Sequence, residues 1–134
     1  MLKALMDKHD SFILTEKTKY KSKMAGIKTY HVMQVNREEI LCYAKLFVIA
    51  LKSLFVFLKE RPDVVISMGV LATIPICLIA KLLQKKLIYI ESFAKITSAT
   101  QSGKFLYKRA DLFYVQWESM TEIYPNAIYL GGIY

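Results

Sequence analysis

No glycine-rich nucleotide loop runs through this chain. Neither G-x-G-x-x-G nor a Walker A pattern occurs, and the only adjacent glycines are Gly131 and Gly132, so the ordinary nucleotide-binding signatures are excluded. Cysteine is scarce as well. Cys42 and Cys77 form no metal-type pair, and each lies inside an apolar run, which reads as small buried hydrophobes in a reducing, cytosolic setting. No metal and no cofactor is expected. His9 and His31 stand far from any partner pattern, and no nucleophile elbow or triad order is visible. Acids are outnumbered, 11 Asp and Glu against 19 Lys and Arg, for a net charge of +8. That sign favours anionic partners and would serve nucleic acid, phospholipid or diphosphate alike. Met1 to Asp7 meets a carboxylate before any run of seven apolar residues, so no secretory signal peptide is expected. There is no internal repeat, low-complexity tract or interdomain linker.

What is present is a chain of 134 residues, 54% of them hydrophobic. That length suits one domain, residues 1–134, able to bury about two thirds of its unfolded surface without a disulfide or metal staple. Short strands are expected at Phe12–Thr15, Tyr30–Val35, Val64–Ile66, Leu87–Ile90, Leu112–Gln116 and Ala127–Leu130. Between them fall the tail of a helix at Lys3–His9, a long helix, a helix reaching Leu83 with Pro75 in its first turn, one near Gly103–Ala110 and a helical turn after Trp117. The long helix is expected to start at Asn36, with Arg37, Glu38 and Glu39 in its first turn, and to run to about Lys59 ahead of Pro62. Strands alternating with helices point to an α/β fold with a largely parallel sheet. Lys17, Lys19, Lys21, Lys23 and Lys28 face only Glu16 and hold one aromatic, Tyr20. They read as a solvated charge run, and no nucleic-acid partner is expected.

In an open α/β sheet, ligands gather at the carboxyl ends of the strands. Two stretches qualify here, Ser67 to Thr73 and Glu91 to Ser92. The first leads into a helix N-terminus, which suits a phosphate or sugar hydroxyl, and equally reads as a plain strand-to-helix turn with Gly69 for backbone freedom. Glu91 at the rim of the core can bind a sugar hydroxyl or act as a base; a structural hydrogen bond to a nearby helix N-terminus explains it as well. Trp117 and the tyrosines around it read as core or interface.

The long helix carries Glu38, Lys45, Lys52 and Lys59 on one narrow polar line and is otherwise apolar from Ile40 to Leu58 except for Ser53. That is more apolar circumference than one sheet covers. The helix can lie in a membrane interface, Phe47 and Phe55 inward and Lys45 and Lys52 reaching toward headgroups, or pack on a protein partner. Val64–Ala80 is uncharged over 17 residues, but Gly69, Pro75 and its β-branched start argue for strand, turn and helix rather than a span.

The runs RPDVVISMG (Arg61–Gly69), IYIES (Ile88–Ser92), SGK (Ser102–Lys104), ADLFYVQW (Ala110–Trp117) and YPNAIYLG (Tyr124–Gly131), with Pro75 between the first two, resemble the non-catalytic, membrane-attached subunit of two-part UDP-sugar glycosyltransferases. That group includes the bacterial PssD and CpsF type of capsule and exopolysaccharide synthesis and the eukaryotic partner in making dolichol-linked chitobiose. The resemblance implies a Rossmann-like, mostly parallel sheet with helices on both faces, the N-terminal half of a GT-B fold such as that of MurG. It sets Gly69 and Pro75 in the place of the acceptor loop and Glu91 in that of the acidic residue facing the cleft; Ser67, Thr73 and Ser92, beside them at the strand ends, are expected to complete the acceptor side. It assigns the C-terminal tail, Gly131, Gly132, Ile133 and Tyr134, to contact with a separate catalytic, UDP-sugar-binding subunit, and Trp117, read above as core or interface, is expected on the same partner side. The implied acceptor is a polyprenyl-diphosphate-linked sugar, and the implied location is the cytoplasmic face of the plasma membrane, peripheral or monotopic. Family members begin with a strand and a GGH-type loop. This chain starts beyond both, so the first strand is expected to be missing from a place between Phe12–Thr15 and Val64–Ile66. Two other readings stand beside this one: a self-sufficient nucleotide-sugar-binding enzyme using Glu91 as base, and a small integral membrane protein built on residues 40–58 and 64–80.

Overall fold

A computed structural model describes residues 2–17, 26–36 and 38–132. Arg37, Lys19, Tyr20, Lys21, Lys23, Ile133 and Tyr134 lie outside them. The elements are α1 (Leu2–Met6), β1 (Phe12–Glu16), β2 (Lys28–Val32), α2 (Cys42–Glu60), β3 (Val64–Ser67), α3 (Ile74–Leu82), β4 (Lys86–Ile90), α4 (Gln101–Tyr107), β5 (Leu112–Val115) and β6 (Ile128–Tyr129). Tight turns at Leu71–Thr73 and Glu118–Thr121 precede α3 and β6. β1 pairs with β2, while β3, β4, β5 and β6 form a second sheet in that order. Every ladder is parallel, with Val65 opposite Leu87, Ile88 opposite Leu112 and Tyr114 opposite Ile128. The architecture is mostly parallel α/β. Between β1 and β3 the two sheets part around a cleft of about 80 Å³ lined by Phe12, Leu14, Val64 and Ile66, where the family resemblance places a further strand.

Apolar β-branched runs bounded by polar residues become the buried strands, as expected of parallel sheets covered by helices. The main core gathers Phe57, Val65, Ile76, Cys77, Leu87, Tyr89, Leu106, Phe113, Val115 and Met120, and a second gathers Val32, Val35, Cys42, Ile49 and Ala72. Leu14 packs against both. Cys42 and Cys77 are buried, unpaired thiols, and burial pushes Cys77 up to about 11.

Of the boundaries that differ from expectation, α1 ends early at Met6 and α4 at Tyr107, and three others bear on the site. The first is the start of α2, six residues later than Asn36 suggests. Asn36 spends its amide on Glu39, Glu39 also takes the Lys45 ammonium, and the intervening residues close a turn through Glu39 N–H to Asn36 O at 3.2 Å and Cys42 N–H to Glu39 O at 3.0 Å. The acids therefore precede the helix, whose first turn has none. At its far end Arg61 adopts a left-handed conformation (φ 46°) and donates its N–H to Phe57 O, which stops α2 before Pro62. The second is α4, which begins at Gln101 rather than near Gly103 because Thr100 caps it, its hydroxyl accepting from Gly103 N–H at 2.8 Å. The third is β2, which runs earlier in the chain than Tyr30–Val35.

Among the described residues no helix is long and apolar enough to cross a membrane; Val64–Ala80 divides into β3, a turn and most of α3.

Asp111 stitches the second sheet to α3. One of its oxygens accepts from Leu87 N–H at 2.7 Å and the other from Lys81 Nζ at 2.8 Å. The Leu87 amide, with Lys81 behind it, holds this carboxyl below its ordinary value. A depressed folded-state value contributes stability that is fully present above the unfolded value near 4 and is lost as pH falls through the folded one. Urea midpoints of the native chain should therefore begin to drop below about pH 5 and keep dropping as pH falls through the depressed folded value, and D111N should lower the midpoint near neutrality while flattening that acid limb. An equally steep limb in D111N would remove Asp111 from the account.

Candidate functional site

β3 and β4 end side by side, with Ser67 and Gly69 at the end of one and Glu91 and Ser92 just past the end of the other; Thr73 turns back onto Ser67, and Pro75 lies further on, in the first turn of α3. At the end of β3, Thr73 Oγ1 donates to Val70 O at 2.7 Å, lies 3.1 Å from Ser67 Oγ and so accepts that hydroxyl's proton. Gly69 N–H points at Ser67 Oγ from 3.4 Å. Gly69 has φ of +90°, a conformation that L side chains rarely adopt, and a Cβ there would come within 2.6 Å of the Tyr89 hydroxyl. The glycine is thus required twice, for its backbone and for its closeness to β4. Pro75 occupies the first turn of α3, where its missing N–H costs no helical bond.

Glu91 differs from the open, cleft-facing carboxylate that the resemblance implies. It is 1% exposed, and donors surround its carboxyl group. Oε1 accepts from Ser92 N–H at 3.0 Å and Thr100 Oγ1 at 2.8 Å, and Oε2 accepts from Tyr124 OH at 3.0 Å and Thr100 N–H at 3.4 Å. Tyr89 OH stands 3.5 Å from Oε1 and 3.2 Å from Thr100 Oγ1. Burial, reinforced by Glu91, raises both phenols well above their usual range, so they remain protonated donors. The geometry is the structural one: Glu91 fastens the loop after β4 to the cap of α4 and to the tyrosine ahead of β6. Gly103 is packed against this knot, with a Cβ there falling 2.1 Å from Glu91 Oε2, 2.7 Å from Tyr124 OH and 2.9 Å from Thr100 Oγ1. With its donors supplied inside the protein, the carboxyl group has no clear path to a substrate proton.

Tyr89, Thr100, Gly103 and Tyr124 are the residues that sequence reasoning missed. Thr100 three residues before Gly103 is a capping pattern that could have revealed one of them. Ser92 is half-buried beside Glu91. Gln116 donates its side-chain N–H to Glu91 O at 2.8 Å, tying the end of β5 to the same loop.

Trp117 donates its indole N–H to Phe93 O at 2.8 Å and lies against the Phe93 ring, centroids 4.9 Å apart. It also packs on the main core, so it sits at the boundary between core and surface. Gly131, with φ of +90°, and Gly132 follow edge strand β6 beside Leu130, which is 80% exposed.

Phe47 and Phe55 project outward from α2, each 66% exposed. The expected cationic fringe is already engaged: Lys45 pairs with Glu39, Lys52 donates to the His31 carbonyl, and Lys59 lies over the Tyr30 ring at 5.8 Å. The lysine line of α2 therefore turns toward β2 and its approach rather than standing free. Tyr43, Phe47, Leu51, Leu54, Phe55 and Leu58 occupy the opposite, exposed arc. Among the described residues no cluster of His, Cys, Asp and Glu could hold a metal ion.

Comparison with known proteins places this arrangement. A solved structure, MurG of Acinetobacter baumannii, superposes with a TM-score of 0.57 over 70% of this chain and 28% of that one at 17% identity. The fold is therefore that of the MurG-like N-terminal half of GT-B proteins. The human UDP-N-acetylglucosamine transferase subunit ALG14 is 40% identical over 81 residues, covering 56% of this chain and 38% of that protein. Its namesake in Schizosaccharomyces pombe is 41% identical over 75 residues, 52% of this chain and 36% of that protein. The chain thus spans less than two fifths of the length of these relatives. A family model described as "Oligosaccharide biosynthesis protein Alg14 like" matches residues 5–133, and this chain, matched over nearly its whole length, belongs to that family.

Proposed function

We propose that the chain is the accessory, acceptor-side subunit of a bipartite UDP-sugar transferase that builds lipid-linked oligosaccharide. A separate subunit binds the nucleotide sugar, and the acceptor is a sugar carried on a polyprenyl diphosphate. The observation that carries this reading is the meeting of two surfaces. Half-buried Gly69 and Thr73, closed over the buried Ser67 hydroxyl, lie at the carboxyl end of β3 and half-buried Ser92 lies just past that of β4, while Leu71 and Ile74, in the same segment as Thr73, line an apolar groove against α2. A substrate with a polar head and a hydrocarbon tail suits such a junction. The relatives' names, which make them subunits of a UDP-N-acetylglucosamine transferase, support UDP-N-acetylglucosamine as the donor. The capsule and exopolysaccharide setting of the PssD and CpsF type rests on the motif resemblance alone.

In this reading the chain does no bond chemistry. Glu91 is a positioning residue that holds the loop after β4 and the cap of α4, and so the shape of the patch. Trp117, Gly131, Gly132, Ile133 and Tyr134 form the partner side, and the exposed arc of α2 rests on the cytoplasmic face of the membrane in peripheral or monotopic fashion. The absence of a glycine-rich phosphate cradle supports leaving the donor to the partner.

The test is reconstitution. The purified chain with UDP-N-acetylglucosamine and a polyprenyl-diphosphate-linked sugar should transfer nothing, and adding the UDP-sugar-binding subunit should produce turnover. E91Q sets an amide N–H2 among groups that donate to the carboxylate, so if Glu91 positions, turnover should fall in step with the melting temperature, whereas removal of a general base would cost about 100-fold or more in turnover with the melting temperature unchanged. Strong turnover by the isolated chain, or tight UDP binding without a partner in calorimetry, would overturn the reading.

A further inference from the structure

A wide apolar groove lies away from the Glu91 knot. It is an open groove of about 530 Å³ lined by Tyr43, Phe47 and Ala50 of α2, Leu78 of α3 and Phe105 of α4, among others. At one end it runs into a second hollow of about 350 Å³ that shares Tyr43, Leu46, Leu71, Ile74 and Phe105 and adds Glu39 and Gln101. The groove is therefore asymmetric. Its length carries no charged side chain and only the Tyr43 hydroxyl as a polar side-chain group; its polar end lies next to Thr100, the residue that caps α4 and binds Glu91.

A protein partner would ordinarily find about one hydrogen bond per 100–200 Å² of interface, and these walls supply almost none. A hydrocarbon chain needs none. From Tyr43 to Ala50 the groove follows α2 for about 10 Å at 1.5 Å per residue, and its volume lies within the roughly 300–1,000 Å³ of small-molecule sites. Its outer lip is the exposed apolar arc of α2, so a tail leaving the groove would pass directly into a bilayer in contact with that arc. The net charge of +8 favours a ligand whose head is anionic.

We propose that this groove is the tail subsite for the lipid acceptor: it holds the first isoprenoid units of a polyprenyl diphosphate, with the head directed past Gln101 toward the strand-end patch. The assignment rests on the acceptor-side reading given above. It makes the chain a reader of the lipid carrier as well as a membrane anchor, and it predicts dependence on chain length that attachment to a surface alone would not give.

The experiment uses the chain in complex with its UDP-sugar-binding subunit. Geranylgeranyl diphosphate, inorganic pyrophosphate and phosphatidylglycerol vesicles serve as three separate probes in calorimetry and flotation. Geranylgeranyl diphosphate should bind at least about 100-fold more tightly than pyrophosphate, since each buried methylene contributes about 0.8 kcal/mol. Filling the groove with A50W should weaken the prenyl ligand at least about tenfold and leave pyrophosphate and vesicle binding unchanged. Tyr43 is 86% exposed, so Y43D should fold normally and weaken the prenyl ligand in the same direction should A50W misfold. In transfer assays KM should fall as the acceptor's isoprenoid chain lengthens, and A50W should raise KM with kcat held. Prenyl binding indifferent to both variants, pyrophosphate bound as tightly as the prenyl ligand, or no prenyl binding would overturn the groove. Transfer that proceeds independently of chain length also overturns the groove while leaving the acceptor-side reading intact. No transfer from the complete complex to any prenyl-linked acceptor overturns both.

Discussion

Replacing Gly103 with alanine is expected to destabilise the protein by about 3 kcal/mol, although in an ordinary helix the same change would be favourable. Alanine gains about 0.8–1.0 kcal/mol over glycine from helix propensity, and Gly103 is helical. The new methyl, however, would sit 2.1 Å from Glu91 Oε2, so the carboxyl group must move. Over-packing costs about 1–3 kcal/mol, and each buried donor left unsatisfied costs about 1–3 kcal/mol more. The donors at risk are Tyr124 OH and Thr100 N–H, which both use that oxygen. For a chain of this size the loss lowers the melting temperature on the order of 10 °C. A double-mutant cycle isolates the cause: with Glu91→Ala the methyl gains room, so G103A should cost at least about 1.5 kcal/mol less in that background. Additive effects, or a stabilised single variant, would mean that the knot is looser than its geometry.

The same knot marks where sequence reading stopped. Glu91 stands out in the chain because it follows an apolar strand, and its place at the end of β4 was legible from that alone. Its surroundings were not. Thr100 and Tyr124 lie nine and 33 residues away along the chain, and only the parallel order of β4, β5 and β6 brings Tyr124 back to it. Whether a carboxyl group faces a cleft or five donors depends on that return. The strands themselves were legible, since a parallel sheet covered by helices needs continuous apolar runs. The start of α2 misled because Asn36, Glu38 and Glu39 carry the local marks of a helix start. Lys45 draws Glu39 into a preceding turn instead, a contact that one-dimensional patterns do not register. The register of the lysine line of α2 was likewise legible, but not its partners within the fold, because His31 O and Tyr30 are supplied by β2 across the chain.

On the proposed reading that α2 rests on a membrane, charging its outer face is expected to weaken vesicle binding at least about 100-fold while leaving the fold alone. The double variant F47D/F55D removes two phenylalanines that are each 66% exposed, so folding stability should change by no more than about 0.5 kcal/mol per site. In an interface each ring contributes about 1.5–3 kcal/mol on full burial. Losing even the lower value twice weakens binding to phosphatidylcholine–phosphatidylglycerol vesicles by at least about 100-fold. K52A is the informative contrast. A lysine free to meet an anionic surface would contribute on the order of 1 kcal/mol, a factor of about five, but Lys52 already donates to His31 O, so its removal should cost less than that. Raising the salt should weaken attachment only in part, since screening shortens the reach of the net positive charge and leaves the apolar term in place. If K52A detached the protein and F47D/F55D did not, charge rather than the apolar arc would hold the surface, and α2 would have to be covered by a protein instead.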